Sequence, residues 1–509
     1  MEFDRPIFQL KDESLFRQDS YRHGQWVAAK SGRRFNVLDP GSDKSWASCP
    51  DNDTEDVDEM VESSYRAFQQ YSVLNPKKRA QLLLNWYNLC LEARDDLAVL
   101  LTHETGKPLA EAYGEIDYSL GFLWWFSGEC ERIQGSISTP SAPNRRTVVI
   151  KQPIGVAAAL VPWNFPIAMV LRKAGAALAA GCTMVIKPSP ETPTTCLALA
   201  YLATKAGFAD GVMNVITTSL QNTPSLSERL CTHPLVKKVT FTGSTRVGKI
   251  VAGLCARNLK KCTLELGGNC PFIVFDDADL DHALAQFMTL KWRHAGQACI
   301  TANRLYVQGG VHDRFLKLLV EKTAQLSVGH GMSEGVTMGP VTTPRGLVKA
   351  EEQVTDALRL GATLALGSGK AFNGAIIDES KCGNGNGGYF MSPTVLANMN
   401  KDMLMAKEET FAPVCGVFKF DTEEEVIKLA NDTSMGLASY AFTSDVNRVW
   451  RMLENLEAGM IGLNTGNASA AESPFGGIKE SGYGKESGKD VAVNEYLISK
   501  TGTLTLLEN

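Results

Sequence analysis

The sequence predicts an α/β protein built on parallel sheets. Two observations carry that expectation. From residue 154 onward, short apolar runs alternate with longer segments of helical period, the rhythm of strand–helix–strand units. The short runs are apolar throughout, as strands covered on both faces are. Strands are expected over 154–161, 183–186, 212–216 and 239–242. Helices fall between them over 166–180 and 194–206, and an amphipathic helix over 244–258 closes the series. A second pattern of the same kind opens near 272–275. It continues through a helix over 280–292 and a strand over 304–307, and runs to about residue 463. Two such lobes with a cleft between them are a common enzyme layout. The run Gly383-Asn-Gly-Asn-Gly-Gly388 has no side chains to pack and reads as a surface insertion.

Composition excludes several classes. The chain has 509 residues, 44% hydrophobic and 21% charged, close to a globular average and unlike a disordered, collagenous or coiled-coil protein. Its net charge is 51 − 56 = −5, which offers no attraction to nucleic acid or an anionic membrane. Twelve cysteines without a CxxC pair read as reduced thiols. The first 24 residues mix acids and bases and lack a signal-peptide core, and the last three carry no prenylation or peroxisomal signal. The most apolar stretch, 153–171, is interrupted by Pro162, Asn164 and Pro166 and reads as a buried strand, turn and helix, not a membrane span. A cytoplasmic location is expected, and no metal site.

Several short motifs carry chemistry. Gly243-Ser-Thr-Arg-Val-Gly248 joins a strand to a helix, where the free N–H groups of a helix start favour an anion. It lacks the G-x-G-x-x-G spacing, and Ile250 stands where a phosphate loop needs Ser or Thr for magnesium, which argues against a nucleotidase. A purely structural glycine turn fits as well. Glu265-Leu-Gly-Gly-Asn269 pairs a carboxylate with two glycines, either a mobile general base or a solvated turn. Gly296-Gln-Ala-Cys299 follows Arg293 and His294. A cysteine so placed can hold a depressed pKa and act as a nucleophile, although most cysteines are structural. Lys187-Pro-Ser-Pro-Glu191 ends a strand where α/β sheets bind ligands.

In one order, Pro162-Trp-Asn-Phe-Pro166, Lys187-Pro, Phe241-Thr-Gly-Ser244, Glu265-Leu-Gly-Gly268, Gly296-Gln-Ala-Cys299, Glu409-Thr-Phe-Ala-Pro413 and Pro474-Phe-Gly-Gly477 resemble the aldehyde dehydrogenase superfamily, from about residue 40 to 496. The resemblance implies a Rossmann-like NAD(P)-binding domain (1–130 and 152–264), an α/β catalytic domain (265–465) and a small β oligomerisation arm (131–151 and 480–509) in a homodimer or homotetramer. It makes Cys299 the nucleophile, Glu265 the general base and Asn164 the side-chain donor to the oxyanion. It assigns cofactor contacts to Pro162, Trp163, Lys187, Ser189, Pro190, Gly243, Ser244, Gly248, Leu266, Glu409 and Phe411.

Within the superfamily, the chain is most similar to succinate-semialdehyde dehydrogenases. That resemblance implies a carboxylate clamp of Arg172, Arg293 and Ser469. Two guanidinium groups and a hydroxyl suit a small aldehyde bearing a carboxylate. Three departures stand out: Thr301 where many members have a second cysteine, His294 where Asn is common, and the 383–388 insertion. Many NAD-selective relatives place Glu three residues after the strand-end Lys. Here that residue is Pro190, with Glu191 one step on, so NADP is expected to be accepted at least in part alongside NAD.

Overall fold

A computed structural model describes residues 8–372 and 387–507. Residues 383–386 of the Gly/Asn insertion lie outside the described residues. The first sheet has eight strands in the order Gln25–Val27, Ser20–Arg22, Met213–Val215, Thr183–Lys187, Val156–Leu160, Val236–Thr242, Lys261–Glu265 and Gly482–Tyr483. The five strands from Met213–Val215 to Lys261–Glu265 are parallel, and the edge strands are antiparallel. Its central strand shows the period-two logic of a two-faced sheet. Ala157 and Ala159 pack into the core with the helix Pro166–Ala180. Val156, Ala158 and Leu160 face the opposite core, formed by Thr54–Tyr71, Thr223–Thr232 and Thr245–Ala256.

The second sheet runs Thr363–Leu366, Thr394–Ala397, Val414–Phe420, Ala302–Gln308, Cys270–Val274, Ala438–Phe442 and Met460–Leu463. All its pairs are parallel except the first. A third sheet pairs Leu497–Thr505, Arg145–Pro153 and Ser136–Ser138 antiparallel. Of the segment 480–509, therefore, Gly482–Tyr483 sits on the edge of the first sheet and only Leu497–Thr505 lies in the third.

Most sequence expectations land within a residue or two. The helix Pro166–Ala180 has the expected bounds: Pro166 opens it and Gly181, at φ +92°, ends it in the left-handed region. The strand expected over 239–242 instead starts at Val236, because the Lys238 side chain is buried and ion-paired to Glu495 at 3.1 Å. The strand expected over 212–216 shortens to Met213–Val215. The apolar stretch 153–171 divides between Val156–Leu160 and the start of Pro166–Ala180. Among the described residues, no helix is long and apolar enough to cross a membrane.

Parallel register gathers the motifs. Leu160 pairs with both Lys187 and Phe241, and Thr242 pairs with Glu265. The loops after these strands therefore share one edge. Facing them are the segments that precede Cys270–Val274, Ala302–Gln308 and Val414–Phe420, which carry Gly268, Cys299 and Glu409. The site lies between the C-terminal ends of one sheet and the N-terminal ends of the other, and the edge strand Gly482–Tyr483 helps hold that boundary. Gly482 has φ +109°, and a Cβ there would stand 1.9 Å from the Leu264 carbonyl oxygen. Gly482→Ala should therefore cost about 1–3 kcal/mol from strain and overpacking. Urea unfolding checks this, and an unchanged midpoint would contradict it.

Candidate active site

Two cavities meet at one residue. The first, of about 350 Å³, is walled by Phe165, Met169 and Phe475, with Arg172, Arg293 and Ser469 among its polar groups. The second, of about 500 Å³, is walled by Pro162, Trp163, Asn164, Gly243, Ser244, Leu266, Glu409 and Phe411. Cys299 lines both. A thiol placed there touches the contents of each cavity at once.

The Cys299 loop is held in an unusual backbone. His294 and Ala295 both lie in the left-handed region, at φ 50° and 52°. The Glu111 carboxylate accepts the His294 N–H at 2.8 Å. The imidazole is buried against the edges of Trp163 and Phe165, and neither ring nitrogen has a protein partner. Burial holds its pKa well below the usual value, so it is neutral. An Asn tolerates this backbone most easily, and His is also enriched in it. Thr301 donates its hydroxyl to the Leu290 carbonyl at 3.3 Å.

Asn164 is buried, and its Nδ2 donates to the Gln297 carbonyl at 3.1 Å. An amide nitrogen has two hydrogens, so one remains to be donated. The sequence pattern suggested a depressed thiol pKa at Cys299. The structure reverses that: burial pushes it up to about 12, and the neighbouring Arg172 opposes only part of the shift. The thiol is therefore protonated at neutral pH and needs a base.

Glu265 is buried and lines neither cavity. Neither of its oxygens has a hydrogen-bond partner among the described residues. Burial, and then repulsion from Glu486, raise its pKa well above the carboxylate range, against the pull of Arg172, Lys173 and Lys485. Its carboxylate points toward Gly476, where a Cβ would stand 2.7 Å from Oε1.

The expected clamp is only partly available. Ser469 lines the first cavity and its hydroxyl is hydrogen-bonded to that of Tyr118. Arg172 is already engaged. Its Nε is 3.2 Å from the Glu486 carboxylate, and its guanidinium stacks on Phe475 with Cζ 4.0 Å from the ring centroid. Arg293 differs in having no ion pair among the described residues; its Nε, like that of Arg172, is buried without a hydrogen-bond partner there, and its guanidinium lies 5.2 Å from the Phe165 centroid. Sequence reasoning missed Glu486, Glu111 and Tyr118. Nothing in their local sequence marks them, because each reaches the site through a contact distant in the chain.

The second cavity suits a dinucleotide. Ser244 caps the helix Thr245–Ala256 and presents its N-terminus. Glycine at 243 leaves room, since a Cβ there would press on the Phe241 ring at 2.5 Å. Arg246, Arg345 and Lys349 add positive charge to the wall. Glu409 accepts the Gly268 N–H at 3.2 Å, and burial lifts its pKa to about 7. Lys187, Ser189, Pro190 and Gly248 lie outside the wall itself. Lys187 is buried at the adjoining strand end, its pKa lowered to about 8 by burial against the pull of Glu191. Gly248 serves packing: a Cβ there would strike Leu266 at 2.3 Å. Lys249 does not curl over the turn as a phosphate-loop lysine does, but pairs with Glu480 at 2.7 Å.

One trio of possible metal ligands exists among the described residues: Asp39, His103 and His330, with ligand atoms within 4.8 Å of one another. The Met332 N–H points at His330 Nδ1 at 3.2 Å, which leaves the ring proton on Nε2, 2.8 Å from Asp39. The trio is a hydrogen-bonded carboxylate, away from both cavities.

Fold and site together place one cysteine at the junction of two cavities, between two α/β sheets. The Aldehyde dehydrogenase family model matches residues 26–501, and the chain belongs to that family. Succinate-semialdehyde dehydrogenase [NADP(+)] 1 of Schizosaccharomyces pombe is 45% identical over 504 residues, 98% of each chain. A glutarate-semialdehyde dehydrogenase of Pseudomonas aeruginosa is 46% identical, covering 96% of this chain and 98% of the relative. A crystal structure of an E. coli NADP-dependent enzyme superposes with a TM-score of 0.93 at 45% identity, covering 98% of this chain and 100% of the other.

The raised thiol pKa sets a measurable expectation. Without cofactor, alkylation of Cys299 by iodoacetamide should accelerate about tenfold per pH unit between roughly pH 7 and 9, as the thiolate fraction does. Peptide mapping by mass spectrometry separates it from the other thiols. A plateau within that range would show the pKa to be lower.

Proposed function

We propose that this enzyme oxidises succinate semialdehyde to succinate with NAD or NADP. The observation that carries the proposal is Arg293, which has no ion pair among the described residues and lines the same cavity as Cys299. A cation facing an apolar wall wants an anion, and a short ω-oxo acid brings one while presenting its aldehyde to the thiol. The relatives' names agree with this substrate class. One of them names glutarate semialdehyde, one methylene longer, and that is the second reading. Ser469 adds a hydroxyl to the same cavity.

In the proposed mechanism Glu265 swings from its pocket toward Cys299 and takes the thiol proton. The sulfur attacks the aldehyde carbon. The free N–H of Asn164 Nδ2 and the backbone N–H of Cys299 receive the oxyanion; removing one such donor typically costs about 3–4 kcal/mol. A bound NAD(P) supplies the acceptor for the hydride that this carbon then releases. Glu265 passes the thiol proton to solvent and then deprotonates the water that attacks the thioester; the C–S bond breaks, the acid is released and the Cys299 thiolate takes back a proton. Burial and the nearby Glu486 favour the protonated form of Glu265 in its pocket, so it acts as a base only once it has moved away from them and lost that proton.

We also propose the domain division 1–130 with 152–264, 265–465, and an arm of 131–151 with the C-terminal strand. The exposed Ile137, Ile150, Ile498 and Leu504 on the third sheet support pairing with a second copy, in a homodimer or homotetramer. Eleven free cysteines among the described residues support a cytoplasmic setting.

Cys299→Ser should abolish turnover of any aldehyde. Arg293→Ala should raise KM for succinate semialdehyde about 10- to 100-fold, from the loss of roughly 1.5–3 kcal/mol of charged hydrogen bonding. Butanal, which lacks the carboxylate, should be nearly unaffected, and equal losses on both would refute the clamp. Steady-state rates with both aldehydes decide it.

A further inference from the structure

The corner where the first sheet meets the dinucleotide cavity holds an anion of its own. Glu191 follows the strand Thr183–Lys187 and precedes the helix Pro193–Ala206. Its Oε2 accepts the Ser189 hydroxyl. Its Oε1 faces Arg345 Nη2 at 3.5 Å. Arg345 opens the helix Pro344–Arg359 and also lines the dinucleotide cavity, so one guanidinium serves the ion pair and the wall. Lys187 is buried in the same corner, with Glu191 as the carboxylate acting on it. The corner thus sets one carboxylate against a hydroxyl and two cations.

A ribose 2′-phosphate offers the same chemistry as that carboxylate: several acceptor oxygens and negative charge. A ribose 2′-hydroxyl does not, and has no need of Arg345. The two anions cannot occupy the same donors. We propose that the Glu191–Arg345 pair sets the choice between the two dinucleotides: the 2′-phosphate of NADP replaces the Glu191 carboxylate against Arg345 and Ser189, whereas NAD leaves the pair closed. Glu191 is then a built-in competitor of the phosphate and Arg345 its receptor. This rests on the NAD(P) assignment of the cavity and adds to it which side chains set the ratio. Pro190 makes it possible, because no acid at that position answers the ribose directly.

The test is fluorescence titration of the full-length protein with NADPH and NADH, in the absence of aldehyde. Glu191→Gln should tighten NADPH relative to NADH by about 5- to 10-fold, the scale of a partly exposed charge interaction. Arg345→Gln should shift the ratio the other way by about the same factor, and Arg345→Lys, which keeps the charge, should retain most of the wild-type ratio. Thermal unfolding establishes that each variant is folded; both side chains reach the surface, with Arg345 66% exposed. If both cofactors bind and the ratio does not move, or Glu191→Gln weakens NADPH, the pair is not the selector and the cavity assignment survives. If wild-type protein binds neither, that assignment fails and this proposal with it.

Discussion

The structure depends on how four ionisable side chains are buried together. The helix Pro166–Ala180 is buried along its whole length and carries Arg172 and Lys173 into the interior. Two adjacent cations there are intolerable without compensation. Glu486 supplies it: one oxygen bonds Lys173 Nζ and the Thr240 hydroxyl, and the other lies 3.2 Å from Arg172. Despite burial, these cations hold Glu486 below the usual carboxylate range. Glu265 is the second acid of the group and takes the opposite shift. The two acids differ in partners: Glu486 is bonded to Lys173 and Thr240 and carries the charge, whereas Glu265 has no hydrogen bond among the described residues and burial favours its protonated form. Glu486 comes from the segment after the second sheet, in the turn between Gly484 and Gly488, and so the last part of the chain to be made completes the charge balance of the first sheet.

That balance reaches the chemistry. Arg172 lowers the thiol pKa of Cys299, yet burial outweighs it. The same Arg172 is turned toward Glu486 and Phe475, which leaves Arg293 as the cation with unused capacity. Arg172 is therefore tied into the framework, whereas Arg293 has no ion pair among the described residues, although both come from the same motif resemblance. A residue type in the right position does not settle which electrostatic partner it already has.

The same distinction separates what was legible in the sequence from what was not. The helix over 166–180 was readable to the residue because its signals are local: Pro166 at the start, Gly181 at the end and small apolar residues between. Parallel strands were legible in the continuous apolar runs, but the strand order and register that gather Lys187, Gly243 and Glu265 come from the structure. The early start of Val236–Thr242 was not readable, since Lys237 and Lys238 look like a turn until Glu495 arrives to pair with Lys238. The Cys299 pKa was misjudged because nearby cations are visible in sequence and desolvation is not. Glu265 is legible as an acid beside a glycine pair, but its raised proton affinity is not, since Glu486 and Lys485, which act on it with opposite sign, lie over 200 positions away.

Long-range burial also explains why Asn164 can serve as a donor without reorganising. Lys107 Nζ donates to the Asn164 carbonyl at 2.9 Å and is paired with the buried Glu115. Glu115 in turn accepts the N–H groups of Ile167 and Ala168, at 3.0 and 3.3 Å, and so caps the helix that follows. The side chain of Asn164 is fixed from the other direction. Gln297, whose carbonyl it meets, is held by its Nε2 to the His294 carbonyl at 3.0 Å and by its Oε1 to the Thr342 N–H at 2.9 Å. With backbone and amide both anchored, one Nδ2 hydrogen is committed and the other has a set direction. In the mechanism proposed above, a donor held this way costs no ordering when charge develops on the substrate oxygen, which is the condition under which a single hydrogen bond contributes most to a rate.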